Sequence, residues 1–139
     1  KVKAVLENDM IPILCVGETE EERKEGQTEE RIGSEIRTAL FALSKEETAK
    51  MVIAYEPIWA IGSGQAATPK DAEEIASFIR KTVKEAAGKK AADEVRILYG
   101  GSVNGDNISH FLKQKNIDGA LIGGASLKPD TMIDIYNKA

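Results

Sequence analysis

Four short apolar runs, each closed by a glycine, a hydroxyl or a carboxylate, constrain the fold of this 139-residue chain most strongly. The apolar residues within these runs are continuous rather than alternating, which is typical of strands buried on both faces of a parallel sheet. Segments with helical patterning separate the runs. The sequence therefore predicts an α/β protein in which four parallel strands are covered by helices. The predicted strands are Ile11–Val16, Met51–Tyr55, Val95–Tyr99 and Gly119–Ile122.

Two longer helices are predicted from apolar residues that recur at helical spacing. Thr28 can cap the first helix, and Thr68-Pro69 is a strong start for the second, which ends at Gly88. Lys89–Asp93 is predicted to be a polar connector. The expected buried positions are Ile32, Ile36, Leu40 and Leu43 in the first helix and Ile75, Phe78, Ile79 and Val83 in the second. Shorter helical segments are predicted at Lys1–Leu6, Glu20–Glu25, Ile108–Lys115 and Pro129–Tyr136, and the charged segment Glu20–Glu25 is expected to be a solvated surface.

Composition excludes several classes of partner. The formal net charge of −4 argues against binding to nucleic acid or to an anionic membrane, and no apolar run reaches the roughly 18 residues of a membrane span. Cys15, the single cysteine, favours a reducing cytoplasm and is expected to be buried in its strand. His110 is expected to be a surface or packing residue. No spacing of cysteine, histidine and carboxylate residues indicates a metal, and no glycine motif for a nucleotide cofactor is present.

The stretch from Met51 to Gly64 carries the first candidate for catalysis. Its apolar strand ends at a carboxylate, Glu56, and Pro57 closes the strand because proline cannot donate to a sheet ladder. Trp59 follows in a loop flanked by glycines, which is the composition of a movable lid. A lone glutamate is more often ion-paired than catalytic. Beside a phosphate site, however, Glu56 becomes a candidate general base.

Glycines at the other strand ends are candidates for that phosphate site. Gly17-Glu18, Gly101-Ser102 and Gly123-Gly124 follow three of the four predicted strands. Carboxyl ends of parallel strands meet at one edge of a sheet, where βα proteins bind their ligands. For any one of these sites alone, a tight turn that needs glycine is the better explanation. Three pairs at the same edge favour backbone N–H groups that approach an anion closely.

Four motifs, in order along the chain, resemble the triosephosphate isomerase family. They are P-I-L-C-V-G-E at Pro12–Glu18, Y-E-P-I-W-A-I-G-S-G at Tyr55–Gly64, L-Y-G-G-S-V at Leu98–Val103 and D-G-A-L-I-G-G-A-S-L at Asp118–Leu127. The resemblance covers essentially the whole chain. It implies the (β/α)₈ TIM barrel, with residues 1–139 as the carboxy-terminal half of a single barrel domain, strands five to eight.

The resemblance also implies roles for individual residues. Glu56 is expected to be the base that interconverts dihydroxyacetone phosphate and glyceraldehyde 3-phosphate by moving a proton between two neighbouring carbons, through an enediolate. In this family, the glutamate and its lid are a general example of acid–base catalysis tuned by the protein. Glu18 is expected to meet Trp59 when the lid closes, and Tyr99 and Ser102 to hold the closed lid by hydrogen bonds. The expected phosphate and substrate contacts are Gly62, Ser102, Leu121, Gly123 and Gly124. The expected lid is Pro57, Ile58 and Trp59 as one hinge, Ala60, Ile61, Gly62 and Ser63 as the tip, and Gly64, Gln65 and Ala66 as the other hinge.

The resemblance leaves half of the family's catalytic apparatus without a counterpart. The family's histidine and lysine, and the loop that builds its homodimer, have no match in this sequence. We therefore expect the isolated chain to be inactive without an amino-terminal half-barrel. The alternative is a non-catalytic phosphate-binding half-barrel that self-associates. Neither hypothesis requires a metal or a cofactor.

Overall fold

A computed structural model describes all 139 residues and contains one parallel sheet of four strands, paired in chain order. The strands are β1 (Ile13–Val16), β2 (Val52–Tyr55), β3 (Arg96–Tyr99) and β4 (Gly119–Ala120). Helices lie between successive strands, so the predicted class is confirmed: an α/β fold with the architecture of half a TIM barrel.

The helices are α1 (Val2–Leu6), α2 (Glu20–Lys24), α3 (Thr28–Leu40), α4 (Lys45–Ala49), α5 (Pro69–Ala87), α6 (Lys89–Glu94), α7 (Ile108–Leu112) and α8 (Pro129–Lys138), with 3₁₀ turns at Ile58–Ala60 and Gly124–Leu127. The caps of α5 are as predicted at its start, where the Thr68 side chain accepts a hydrogen bond from the Asp71 N–H. Gln27 rather than Thr28 caps α3, and its side chain makes no capping bond.

Two short helices depart from the sequence prediction. The segment predicted as a polar connector is helix α6, because Gly88 has a φ of 92° and can end α5 and begin α6 in the same residue. Helix α4 was not predicted. Ser44 and Glu47 form a reciprocal capping box that stabilises its five residues.

The core lies between the sheet and the helices. Residues that share the helix-facing side of the sheet, such as Ile53, Tyr55, Ile97 and Tyr99, pack with the buried faces of α3 and α5. Of the predicted helix positions, Leu43 and Phe78 are only partly buried, and Leu43 lies beyond the end of α3.

The opposite side of the sheet is open at β1, which corrects two predictions. Ile13 is 51% exposed and Cys15 is exposed, although this strand and its cysteine were both predicted to be buried. The reason is that β1 is an edge strand and no part of residues 1–139 covers its inner side. Ile133 and Tyr136 of α8 are likewise exposed, at 57% and 77%.

The predicted fourth strand is shorter than expected. Only Gly119 and Ala120 pair with β3 as a strand, although the Leu121 N–H still donates to the Tyr99 carbonyl at 2.9 Å. No helix in the structure combines the length and the apolar character that crossing a membrane requires.

Candidate active site

The carboxyl ends of the strands place Glu56 in the middle of one sheet edge. The Glu56 N–H donates to the Val16 carbonyl at 2.8 Å, and the Gly100 N–H donates to the Tyr55 carbonyl at 2.8 Å. These two bonds extend the parallel ladders by one residue beyond each strand. Glu56 is therefore fixed between the ends of β1 and β3.

Glycines on both sides let the Glu56 residue fit this position. A Cβ atom at Gly17 would lie 1.9 Å from the Glu56 carbonyl oxygen, and one at Gly100 would lie 2.5 Å from Glu56 Cγ. Neither space admits any other residue without movement of the glutamate. Gly100 was not among the predicted site residues. Its signal was its place next to Gly101-Ser102, at a strand end where backbone approaches closely.

The Glu56 side chain is half-buried and lines a cleft at the strand ends. Its carboxylate takes part in none of the salt bridges of the structure. A carboxylate without a cation partner, facing open space, is available to accept a proton from a ligand.

The strand-end cleft has a volume of about 490 Å³ and gathers residues from three strand ends and the lid. All five predicted phosphate and substrate contacts line it together with Glu56: Gly62, Ser102, Leu121, Gly123 and Gly124. Gly123 and Gly124 are exposed at its rim, and the 3₁₀ turn Gly124–Leu127 begins there. The amino end of such a turn presents backbone N–H donors, which suit an anion.

Cys15 neighbours Glu56 on the inner side of the sheet. Cys15 is exposed as a residue, but its thiol lies against the sheet and is partly desolvated. That desolvation, followed by the contact with the Glu56 carboxylate and its negative charge, raises the pKa of the Cys15 thiol from 9.0 to about 11. The thiol therefore stays protonated at neutral pH and is a poor nucleophile.

The lid, Pro57–Ala66, is held at both of its ends. Near its start, the Ser102 hydroxyl donates to the Ala60 carbonyl at 2.9 Å. Just beyond its end, the Ala67 N–H donates to the Tyr99 hydroxyl at 2.9 Å. Between these anchors, Gly62 in the tip and Gly64 in the second hinge have φ values of 65° and 75°, which other residues rarely adopt, so both parts of the lid depend on glycine.

Of the remaining lid residues, Pro57 and Ala60 are buried, and Ile58, Ile61 and Ser63 are exposed. Ile58 and Ile61 are 49% and 52% exposed, which leaves apolar lid surface in contact with solvent.

Glu18 is completely buried at the end of β1 and receives the lid tryptophan. The Trp59 Nε1–H donates to Glu18 Oε1 at 2.9 Å, which places these two residues together as the resemblance implied. The Tyr55 hydroxyl donates to the same oxygen at 3.1 Å. Burial, and after it the charge of Glu18, raises the pKa of Tyr55, and burial raises the pKa of Tyr99, so both hydroxyls remain protonated.

Arg23 is the second site residue that the sequence did not identify. Its guanidinium lies 3.4 Å from Glu18 Oε1 and 4.9 Å from the centre of the Trp59 ring. The segment around it was predicted to be a solvated surface, which is wrong for Arg23 because its side chain is only 34% exposed. Nothing local in the sequence indicates this contact, since Trp59 lies far along the chain.

Neither His110 nor a metal-ligating cluster contributes to the strand-end cleft. His110 is exposed on α7 and does not line the strand-end cleft. No group of three or more histidine, cysteine, aspartate or glutamate residues is placed to hold a metal ion.

Comparison with known proteins identifies the family. The family model described as Triosephosphate isomerase matches residues 1–139. The curated protein named triosephosphate isomerase from Dictyoglomus turgidum is 52% identical over 135 residues, which are 97% of this chain and 54% of that protein. Proteins of the same name from Roseiflexus sp. and Clostridium tetani are each 50% identical over 137 residues, which are 99% of this chain and 54% of those proteins.

This chain spans about half the length of these curated relatives. Within that half, it carries a carboxylate at a strand end, a lid bonded at both anchors and a glycine-lined cleft. The chain belongs to the triosephosphate isomerase family.

Proposed function

We propose that residues 1–139 form the carboxy-terminal half of a triosephosphate isomerase barrel and supply its base, its lid and most of its phosphate site. The reaction is the interconversion of dihydroxyacetone phosphate and glyceraldehyde 3-phosphate by proton transfer through an enediolate. One observation carries the proposal: Glu56, without a salt-bridge partner, lines the same cleft as Gly62, Ser102, Gly123 and Gly124. The names and identities of the relatives support it.

The chemistry requires a base beside a bound phosphate. A proton on the carbon next to a carbonyl is weakly acidic, so a positioned carboxylate within reach of that carbon is needed to remove it. Glu56 accepts this proton and returns it to the neighbouring carbon. Gly123, Gly124 and Ser102 hold the phosphate, and Leu121 lies beneath the substrate. The phosphate contacts fix the reacting carbons relative to the carboxylate.

The same chemistry requires a donor for the charge that develops on the carbonyl oxygens. Neither His110 nor any Lys or Arg side chain lines the cleft. The proposal therefore assigns the donor, the family's histidine with its lysine, to an amino-terminal half-barrel that pairs with this chain. In the family this complete barrel forms a homodimer, and we extend that assembly to the completed protein.

The lid has a chemical purpose in this proposal. An enediolate phosphate can lose its phosphate: the C–O bond breaks, its electron pair leaves on the phosphate, and the carbon chain departs as an enol aldehyde. A lid that excludes water and fixes the geometry suppresses this loss. The bonds at Ala60 and Ala67 hold the lid across the cleft.

The test uses a completed barrel, in which this chain is joined to the part of the Dictyoglomus turgidum relative that it does not match. We expect the completed barrel to interconvert the two triose phosphates and Glu56→Gln to lower its kcat by about 10²–10⁴-fold, the usual contribution of general base catalysis. Glu46→Gln, an exposed carboxylate outside the cleft, is the matched control and should leave kcat unchanged. A Glu56→Gln barrel that retains most of its turnover would remove Glu56 as the base.

A second candidate is the non-catalytic phosphate-binding half-barrel that self-associates. The open inner side of β1, with Ile13 51% exposed, favours it. Calorimetric titration of the isolated chain with inorganic phosphate, together with its mass in solution, separates the two functions. Tight binding by a discrete homodimer supports the binding module, whereas weak binding by a heterogeneous assembly supports the incomplete enzyme.

A further inference from the structure

Arg23 makes contacts that neither the sequence nor the proposed reaction explains. It is the one cation within 4.0 Å of Glu18, a carboxylate that is 0% exposed. Glu18 Oε1 accepts from three donors: Arg23 Nη1, the Tyr55 hydroxyl and the indole of Trp59. Glu18 Oε2 is buried and has no hydrogen-bond partner. A buried carboxylate with one unsatisfied oxygen depends strongly on its single counter-charge.

The same guanidinium also contacts the lid directly. Its central carbon lies 4.9 Å from the centre of the Trp59 ring, within the range of an attractive cation–π contact. Trp59 is therefore bound from two directions, with its N–H on Glu18 and its ring face on Arg23. Both contacts disappear if the tryptophan moves away with the lid.

The third contact of Arg23 reaches the other side of the lid. Arg23 Nη2 lies 3.0 Å from Asp71 Oδ2, in the first turn of α5. That helix begins at Pro69, two residues after Ala67, whose N–H anchors the end of the lid on Tyr99. The Arg23 side chain therefore connects α2 to the first hinge of the lid and to α5, the helix that follows the second hinge.

These contacts require the shape of a guanidinium as well as its charge. A planar fork can lie on an aromatic face while its two terminal nitrogens point to two different carboxylates. A lysine ammonium in the same position has one nitrogen, which cannot reach Glu18 and Asp71 together while covering the indole. A counter-ion for Glu18 would need only a positive charge. The additional contacts of Arg23 with Trp59 and Asp71 go beyond that requirement.

We propose that Arg23 is a positioning residue for the lid: it holds Trp59 against Glu18 and thereby stabilises the lid in the position seen in this structure. The consequence for catalysis rests on the proposed isomerase function. Arg23 touches neither the strand-end cleft nor Glu56, so it acts through Trp59. Loss of the cation–π contact and of the charged hydrogen bonds should lower the ratio of engaged to released lid about tenfold.

The first test uses the 139-residue chain and the fluorescence of Trp59, its single tryptophan. Arg23→Lys keeps the charge and Arg23→Met keeps the length, and both should increase the quenching of Trp59 by acrylamide and shift its emission to the red. Lys24→Met is the matched control, since Lys24 pairs only with Glu20 on the exposed side of the same helix at 2.6 Å. Unchanged quenching in a folded Arg23→Met chain, checked by circular dichroism, would overturn the proposal.

A second variant protects the test against a failure to fold. Asp71→Asn removes the ion pair between Asp71 and Arg23 Nη2 and leaves the buried Glu18 with its counter-charge. The side chains of Arg23 and Asp71 are 34% and 36% exposed, so the change is made near the surface. We expect the same changes in fluorescence with smaller amplitude. If only the variants that leave Glu18 without a cation change the fluorescence, then Arg23 is a counter-ion and the proposal is wrong.

The final test measures phosphate loss in the completed barrel. If Arg23 positions the lid, Arg23→Lys should increase the number of inorganic phosphate ions released per isomerisation about tenfold, because the released lid becomes about tenfold more frequent. A merely structural role would lower turnover without changing this ratio, and that result would contradict the proposal. If the fluorescence responds as expected but the completed barrel with Arg23 intact does not isomerise triose phosphates, the proposed function fails and the positioning of Trp59 stands.

Discussion

At the scale of single residues, Glu56 is confined by backbone on both sides. Its main chain is bonded to β1, and its side chain lies over Gly100, where a Cβ atom would come within 2.5 Å of Cγ. Backbone on two sides therefore limits where the side chain can lie, and in its present position Glu56 lines the strand-end cleft. Pre-positioning of this kind removes the conformational freedom that a surface glutamate would have to lose before reacting.

We predict that Gly100→Ala displaces the Glu56 side chain and lowers kcat of the completed barrel about 100-fold, the usual effect of moving a catalytic group by about 1 Å. Gly33→Ala is the control, because its added Cβ meets only the flexible end of Arg37, at 3.0 Å. Steady-state kinetics and thermal melts of both variants separate misplacement from unfolding. Full activity in Gly100→Ala would show that the Glu56 side chain does not need its present position.

The second prediction concerns Cys15, whose pKa is raised to about 11 by partial burial and by the neighbouring Glu56. At pH 8 the thiolate fraction should be about a hundredfold smaller in the folded chain than in urea, so alkylation by iodoacetamide should be slower by a similar factor. Glu56→Gln removes the negative charge and should accelerate alkylation, whereas Glu46→Gln should not. Equal rates in folded and unfolded chains would contradict the shift.

The raised pKa of Cys15 also makes the free energy of unfolding depend on pH. The folded chain holds the Cys15 proton more tightly than the unfolded chain does, because its pKa is raised from 9.0 to about 11. The contribution to the free energy of unfolding is therefore complete below about pH 9 and is lost as the pH rises toward 11.

At the scale of elements, Arg80 connects α5 to the strands on the outer side of the barrel wall. Its guanidinium donates to the carbonyls of Ala92 and Val95 at 2.6 and 3.1 Å, and to Asp118 at 2.7 Å. Asp118 in turn accepts from the Ile97 N–H of β3 at 2.8 Å. One arginine thus joins α5 to α6, to β3 and to the residue before β4.

We predict that Arg80→Met lowers the free energy of unfolding by about 2–3 kcal/mol, because several charged hydrogen bonds are lost and the carbonyls of Ala92 and Val95 belong to buried residues. Lys81→Met, which changes an exposed neighbour on the same helix, is the control and should change it by less than about 0.5 kcal/mol. Urea titrations followed by circular dichroism measure both. A similar loss in the two variants would show that helix packing, and not this network, holds α5.

Some strands and helices could be predicted from the sequence, and others could not. The four apolar runs identified the strands, and Thr68-Pro69 identified the start of α5, because both signals are local. Helix α6 was predicted as a connector, since a glycine at the end of a helix does not reveal that another helix starts in the same residue. Helix α4 is five residues long, too short for a periodic apolar face.

The residues of the candidate site also include some that the sequence identified and some that it did not. Glu56, Ser102 and the glycines were identifiable because they end strands, and parallel strands bring their ends to one edge. Arg23 was not, because its contacts with Trp59 and Asp71 arise from the fold and leave no pattern in the charged segment that contains it. The exposure of Cys15 was also hidden, since an apolar strand has the same sequence whether or not its inner side is covered.

At the scale of the whole molecule, the sheet has two open edges and an uncovered inner side. β1 and β4 each pair with one neighbour only, and Ile13 and the outer residues of α8 are exposed. Unpaired strand edges and contiguous apolar surface promote association between chains.

We predict that the isolated 15.1 kDa chain self-associates at micromolar concentration and binds a hydrophobic dye, and that the completed barrel does neither beyond a discrete dimer. Sedimentation velocity over a range of concentrations gives the masses. Ile13→Glu, which places a charge on the open inner side, should reduce association of the isolated chain, and Lys24→Glu on the exposed side of α2 should not. A stable monomer that excludes the dye would show that the open side needs no covering.

If Glu56 removes a substrate proton, that proton exchanges with solvent, and the exchange can be measured. The completed barrel, incubated with dihydroxyacetone phosphate in D₂O, should incorporate deuterium at the carbon next to the carbonyl, because the proton held on the Glu56 carboxylate exchanges with solvent before it is returned. Proton NMR follows the loss of that signal. We expect rapid incorporation in the unsubstituted barrel and in Glu46→Gln, and a rate lower by at least about 100-fold in Glu56→Gln. Undiminished incorporation in the Glu56→Gln barrel would contradict the assignment of Glu56 as the base.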